Sequence, residues 1–480
     1  MNFLRRKSVA DLQETAKTDH SLHRVLGPIH LIMLGVGCTI GTGIFVLTGT
    51  VAAHNAGPGV ILSFVLAGIA SIFAAFCYSE FASLVPMSGS AYTYSYATLG
   101  ELFAWIIGWD LILEYAVGAI TVAIGWSGYV TSFLHDCGLD IPVRFTAAYG
   151  AIVTEADGTK VEALFNLPAV LIVAAVTILL VIGIRESAWY NNLIVFVKLA
   201  VIVAFLALTA HAINPANWHP FIPENTGTFG HFGWSGIMAG SGTVFFAYIG
   251  FDAVSTAAQE TRNPQRDMPL GIIGSLVICT VLYIAVAAVA TGVVPYAQLD
   301  TPAPIALVAD HAVGGWMSVL IKIGAIAGLS SVIMVLLLGQ TRIFWVMSRD
   351  GLLPKFVSEV HPRFKTPWIT TIITGILVAL FSALFTVREA GNLCSIGTLL
   401  AFVIVCVSVL VLRVREPHLD RAFRTPWIWF VAPVGAISSL ALMIPLPNAA
   451  WKRLIVWFLV GMVVYFTYSI RHSRLREKQP

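Results

Sequence analysis

The chain has 480 residues, 58% of them hydrophobic and only 11% charged, with 28 Lys and Arg against 25 Asp and Glu for a formal net charge of +3. Soluble domains carry roughly 25% charged residues, so this composition excludes a water-soluble globular protein and points to a polytopic membrane protein. So small a net charge gives no case for nucleic-acid binding.

The polar, basic stretch 1–26 lacks the short apolar core and small-residue cleavage site of a signal peptide and reads as a cytoplasmic tail. Runs of about 20 apolar residues, long enough for a hydrocarbon core, then predict twelve transmembrane spans. They fall at 27–53, 58–84, 101–130, 167–184, 190–211, 235–258, 270–294, 316–341, 368–386, 391–412, 426–445 and 453–470. Residues 27–470 are expected to form one membrane domain, with 27–211 as a first repeat, 235–412 as a second, 426–470 as two extra spans and 471–480 as a second cytoplasmic tail. Lysines and arginines gather in both tails and in the segments Arg342–Lys365 and Arg413–Arg424, whereas the opposite side holds Arg144, Lys160, Arg388, Lys452 and Arg453. That asymmetry predicts a multi-pass protein of the cell membrane with both termini inside.

Span 1 is interrupted at its centre by GVGCTIGTGIF, from Gly35 to Phe45. Glycine costs about 1 kcal/mol per helical position relative to alanine, so local unwinding is expected there. Non-helical backbone at membrane depth is tolerated where protein or a wet cavity satisfies it, which makes the break a candidate binding site. Span 6 repeats the pattern in GIMAGSGTVFFAYIGFDAVS, with Gly240, Gly242 and Gly250. Such glycines also serve close helix packing, but the paired positions favour two discontinuous helices meeting near the midplane.

A half-helix that begins after a break exposes N–H groups to an anion, here at Gly41, Thr42 and Gly43. One that ends before a break presents carbonyls to a cation, here at Ile40 and at Phe246, Ala247 and Ile249, with Gly250 supplying the turn and Tyr248 a gate. An α-amino acid carries both groups, and a zwitterion held this way needs no charged side chain from these two spans. Of the ionisable residues inside spans, Lys198 lies deepest. It can lose its proton in a dry site or pair with a carboxylate to fix helix packing. Asp110 and Glu114 sit one turn apart on span 3, with Glu114 expected in a polar network. Lys322 is expected to snorkel outward. Trp105, Trp109 and Trp126 read as packing or interface residues.

The six cysteines are scattered without CxxC spacing, so neither a disulfide frame nor a metal site is indicated. No HExxH, no GxSxG with a partner His and no Walker A sequence appears, so no catalytic residues, cofactor or primary pump are expected.

The segments GVGCTIGTGIFVLTG, YSEFASLVPMSGSAYTYSYATLGE, GWDLILEY, FFAYIGFDAVSTAAQETRNPQRDMPLGI and GQTRIFWVMSRDGLLP together resemble the amino acid/polyamine/organocation superfamily. The likeness is greatest to bacterial relatives of the cationic amino acid transporters. That resemblance implies an all-α fold of two inverted five-helix repeats with spans 1 and 6 discontinuous, spans 11 and 12 added, and alternating access. It implies substrate carboxylate on the amides of Thr42 and Gly43, ammonium on the carbonyls named above, and Leu336 near the side-chain pocket. Ser330 and Ser331 match hydroxyls that hold a cation in sodium-coupled relatives. Lys198 matches the span 5 lysine of proton-coupled members, and Glu114 an acid of this branch. The expected function is proton-coupled symport of L-amino acids, neutral ones in preference to cationic because no acid stands out beside the two breaks. Exchange of amino acids or polyamines, or uniport of cationic amino acids, is the alternative. The expected partners are an L-amino acid, a proton and the bilayer, with a small membrane-protein partner left open.

Overall fold

The computed structural model describes residues 5–8, 26–85, 87, 89–154, 158–183, 188–364 and 366–475. Most of the two expected tails falls outside these residues, as do Arg185 and Lys365 and the side chain of Tyr190. Among the described residues, eight helical stretches are long and apolar enough to cross a membrane, and five shorter helices are apolar as well. The principal helices are α1 (Pro28–Thr39), α2 (Val60–Leu84), α3 (Glu101–Asp136), α4 (Leu167–Ile182), α5 (Ala188–Thr209) and α6 (Gly233–Val244). They continue as α7 (Pro264–Val293), α8 (Gly315–Arg349), α9 (Trp368–Leu384), α10 (Val387–Arg415), α11 (Ile428–Met443) and α12 (Asn448–Val464). The 16 residues of α4 reach about 24 Å, short of a core about 30 Å thick.

Local sequence sets where these helices begin. Pro28 and Pro264 stand at the first positions of α1 and α7, where a missing N–H costs nothing. Asn166 caps α4 by accepting the Ala169 N–H, and Thr386 with Glu389 forms a reciprocal capping box on α10. Several helices outrun the apolar runs that announced them, since α3, α7 and α8 carry polar turns beyond the apolar windows counted in sequence.

Both predicted interruptions are present. After α1 the chain leaves the helix at Ile40, which is extended (φ −74°, ψ 98°), and resumes as a π-helical turn over Gly43–Leu47. After α6 it tightens into a 3₁₀ turn over Phe245–Tyr248, opens at Ile249 (φ −64°, ψ 133°), and resumes as 3₁₀ helix over Asp252–Glu260. Gly250 has φ +119°, a conformation open to glycine and strained for other residues.

Aromatic rings fill the space around the breaks. Tyr248 packs edge to face with Tyr283, Phe64 lies tilted against both, and Phe402 is in ring contact with Phe245, Phe251 and Tyr78. Trp105 and Trp109 stack beside α12, their indole N–H groups on the Gly461 and Trp457 carbonyls, which confirms them as packing residues. At one end of the molecule described residues from near the two ends of the chain come together. Lys7 pairs with Asp350 at 2.6 Å, and the Arg474 N–H reaches the Asp350 carbonyl.

Candidate functional site

The two breaks touch. A β-carbon built on Gly43 would lie 2.3 Å from that of Ala247, so only glycine permits this approach of one interrupted segment to the other. Gly41, Thr42 and Gly43 form the first turn after the break, where N–H groups find no carbonyl one turn earlier in the same helix. The π-helical turn that follows is a form common at functional sites. Thr42 is fully buried with its methyl and hydroxyl against Gly125 of α3, and its hydroxyl has no hydrogen-bond partner.

The expected ammonium carbonyls are partly engaged already. Ile40 receives Lys198 Nζ at 3.1 Å, Phe246 receives the Ile249 N–H at 3.2 Å, and Ala247 receives the Tyr283 hydroxyl at 2.7 Å. A carbonyl oxygen has two lone pairs, so each retains capacity for another donor. Tyr283, unremarked in the sequence, also contacts the Thr39 carbonyl at 2.8 Å. One hydroxyl of α7 thus bridges the ends of both first half-helices.

Lys198 is buried, 1% exposed, and its two hydrogen bonds go to peptide carbonyls, Gly37 at 2.8 Å and Ile40 at 3.1 Å. A carboxylate partner was one reading of the sequence; the structure supplies carbonyls at the C-terminal end of α1, where the helix dipole favours a cation. The lysine chain crosses Gly328 of α8, one turn before Ser331, so the amine occupies the seam between the span 1 break and α8. Ser331 is buried and bonded to the Gly328 carbonyl, whereas Ser330 is half-buried, donating to Ile326 and accepting Trp126 Nε1.

Tyr248 is held by its hydroxyl on the Phe64 carbonyl at 2.7 Å. Leu336 is buried against Gly118 of α3. The residues that face Gly41 are Val332, one turn before Leu336, and Val122 of α3, two apolar wall residues that sequence reasoning did not single out.

Two expectations need correction. Lys322 does not snorkel: it is buried and pairs with Asp136 at the far end of α3, its amine also reaching the Ser132 carbonyl. And an acid does stand beside a break. Asp252 is buried two residues beyond Gly250, whose N–H its carboxylate accepts at 3.1 Å, within electrostatic range of Glu114. The sequence displayed it in FFAYIGFDAVS, but as part of a motif rather than as a charge.

A family model described as amino acid permease matches residues 26–467. The chain belongs to the amino acid permease family, within the amino acid/polyamine/organocation superfamily. This permease is a multi-pass membrane transporter and not an enzyme. It is 48% identical over 477 residues to the branched-chain amino acid permease BcaP of Bacillus subtilis, with 99% of each chain covered. It is 44% identical over 481 residues to the methylthioribose transporter of Bacillus subtilis, covering 99% of this permease and 100% of that protein. The vacuolar cationic amino acid transporter 4 of Arabidopsis thaliana is 40% identical over 424 residues, 87% of this permease and 68% of the relative.

Proposed function

We propose that this permease is a proton-coupled symporter of small to medium neutral L-amino acids, branched-chain ones first, working by alternating access between two inverted repeats. In this reading 27–211 and 235–412 are the repeats, 426–470 adds two spans, and both termini face the cytoplasm. The observation that carries it is the approach of the two interrupted segments at Gly43 and Ala247, with N–H groups on one side and carbonyls on the other. The carboxylate sits on the amides of Gly41, Thr42 and Gly43, and the ammonium on carbonyls of Phe246, Ala247 and Ile249, with Ile40 shared with Lys198. Val122, Val332 and Leu336 give the side chain an apolar wall, which suits a branched aliphatic group. The name of the Bacillus subtilis branched-chain permease supports the same class.

Lys198 supplies the coupling. Protonated, its amine holds the carbonyl end of α1 through Gly37 and Ile40; losing the proton weakens those bonds and frees the half-helix to move. Ser331 supports this centre from α8, Ser330 steadies Trp126, and Glu114 on α3 is a further proton-coupling residue. Reconstituted vesicles with an inward proton gradient test the proposal. Leucine accumulates against its gradient in the wild type, and Lys198→Met abolishes the accumulation. Proton-driven accumulation that survives Lys198→Met contradicts the role of the lysine, and uptake that needs amino acid inside the vesicle identifies exchange instead.

A further inference from the structure

Asp110 is 1% exposed in the interior of α3, and neither carboxyl oxygen has a hydrogen-bond partner. Glu114, one turn along the same face and equally buried, leaves Oε2 unpaired. Asp252 joins them from the second half of span 6, within electrostatic range of Glu114. The buried hydroxyls of Tyr78 on α2 and Tyr115 on α3 also lack partners, and Asp252 and Glu114 are within electrostatic range of both. The other titratable groups in range are Tyr94 and the thiols of Cys38 and Cys394. Among the described residues the cation in range is Arg342, which acts on Tyr115, is itself 44% exposed and leans to Glu260 at 3.9 Å. An ionised carboxylate without a partner in such a place costs several kcal/mol, and Asp110 and Glu114, one turn apart, are not both charged at once.

We infer that Asp110 and Glu114, with Asp252 beside the span 6 break, form a second proton-holding centre, distinct from Lys198, which carries protons through the transport cycle as neutral carboxyls. This rests on the proton-coupled reading above and extends it to Asp110 and Asp252. Release is a simple transfer: the carboxyl O–H bond breaks to water when the chamber opens, leaving a carboxylate and a hydronium ion. Asp252 rides on the segment that begins at the break and is bonded to Gly250, so a movement of that segment changes the surroundings of the cluster.

Two measurements on the full-length protein test it. Infrared difference spectra taken across a pH step in the absence of substrate should show a protonated-carboxyl stretching band in the wild type that is reduced in Asp110→Asn and in Asp252→Asn. In vesicles, proton influx per leucine should fall about twofold in Asp110→Asn, one of two centres being lost, and recover in Asp110→Glu. Thermal melting of each variant establishes that it is folded. Spectra indistinguishable from wild type in both Asn variants overturn the inference, as does an unchanged proton-to-leucine ratio while the wild type remains coupled. A wild type that carries leucine without protons overturns this inference and the symport reading together.

Discussion

Two buried acids in the same membrane interior are treated in opposite ways. Glu80, 1% exposed on α2, accepts from Arg413 at 2.8 and 2.9 Å, from the Thr425 N–H at 2.9 Å, and pairs with Arg421 at 3.2 Å. Asp110, equally buried, accepts nothing. Glu80 ties α2 to the end of α10 and the connection beyond it, and every contact it makes argues for a fixed charge. Asp110 has no such anchor; its carboxyl lies against Gly397 of α10 without a hydrogen bond. Satisfied burial marks a structural acid; the unsatisfied burial of Asp110 is what its proposed proton-holding role accounts for.

The contrast can be broken by substitution. The largest effect belongs to Glu80→Gln, which leaves two arginines facing a neutral amide, one of them only 2% exposed. Removing one partner of a buried pair costs about 3–5 kcal/mol, to be read as a sharp fall in melting temperature and yield. Stability within about 1 kcal/mol of wild type would show that Glu80 is not the anchor described. Tyr283→Phe comes next. It strips the hydroxyl from the Thr39 and Ala247 carbonyls, at a cost of about 1–3 kcal/mol in thermal melting if nothing else reaches them. An unchanged melting curve would show that the two first half-helices do not depend on this bridge. Smallest is Asp110→Asn. The amide resembles a neutral carboxyl in size and charge, so stability should change by less than about 1 kcal/mol. A loss as large as that of Glu80→Gln would mean that Asp110 holds a charge after all.

The sequence revealed different things at different ranges. The breaks were legible because helix-weakening glycines cluster locally, and the Asp110–Glu114 pair because four residues is one helical turn. Lys198 was legible as a deep charge, but its partners are carbonyls of residues 158 and 161 positions away, and only the fold brings them to it. The same distance in sequence hid the Lys322–Asp136 pair, whose members lie 186 residues apart. Tyr283 gave no signal, being one tyrosine in an apolar run whose meaning depends on which carbonyls lose their helical partners. Asp252 was in plain view, yet it follows a break and starts a 3₁₀ segment, so no helical periodicity assigned it a face.

The central claim is that peptide groups of the two interrupted segments hold both charged ends of an α-amino acid. The most direct measurement compares binding of leucine, N-acetyl-leucine, leucinamide and methylthioribose to the purified permease by calorimetry. Leucine should bind, while the first two analogues, each lacking one end of the zwitterion, should lose about 100-fold or more in affinity, roughly 2.7 kcal/mol, and methylthioribose should not compete. Equal binding of the blocked analogues, or binding of methylthioribose with none of leucine, would contradict it.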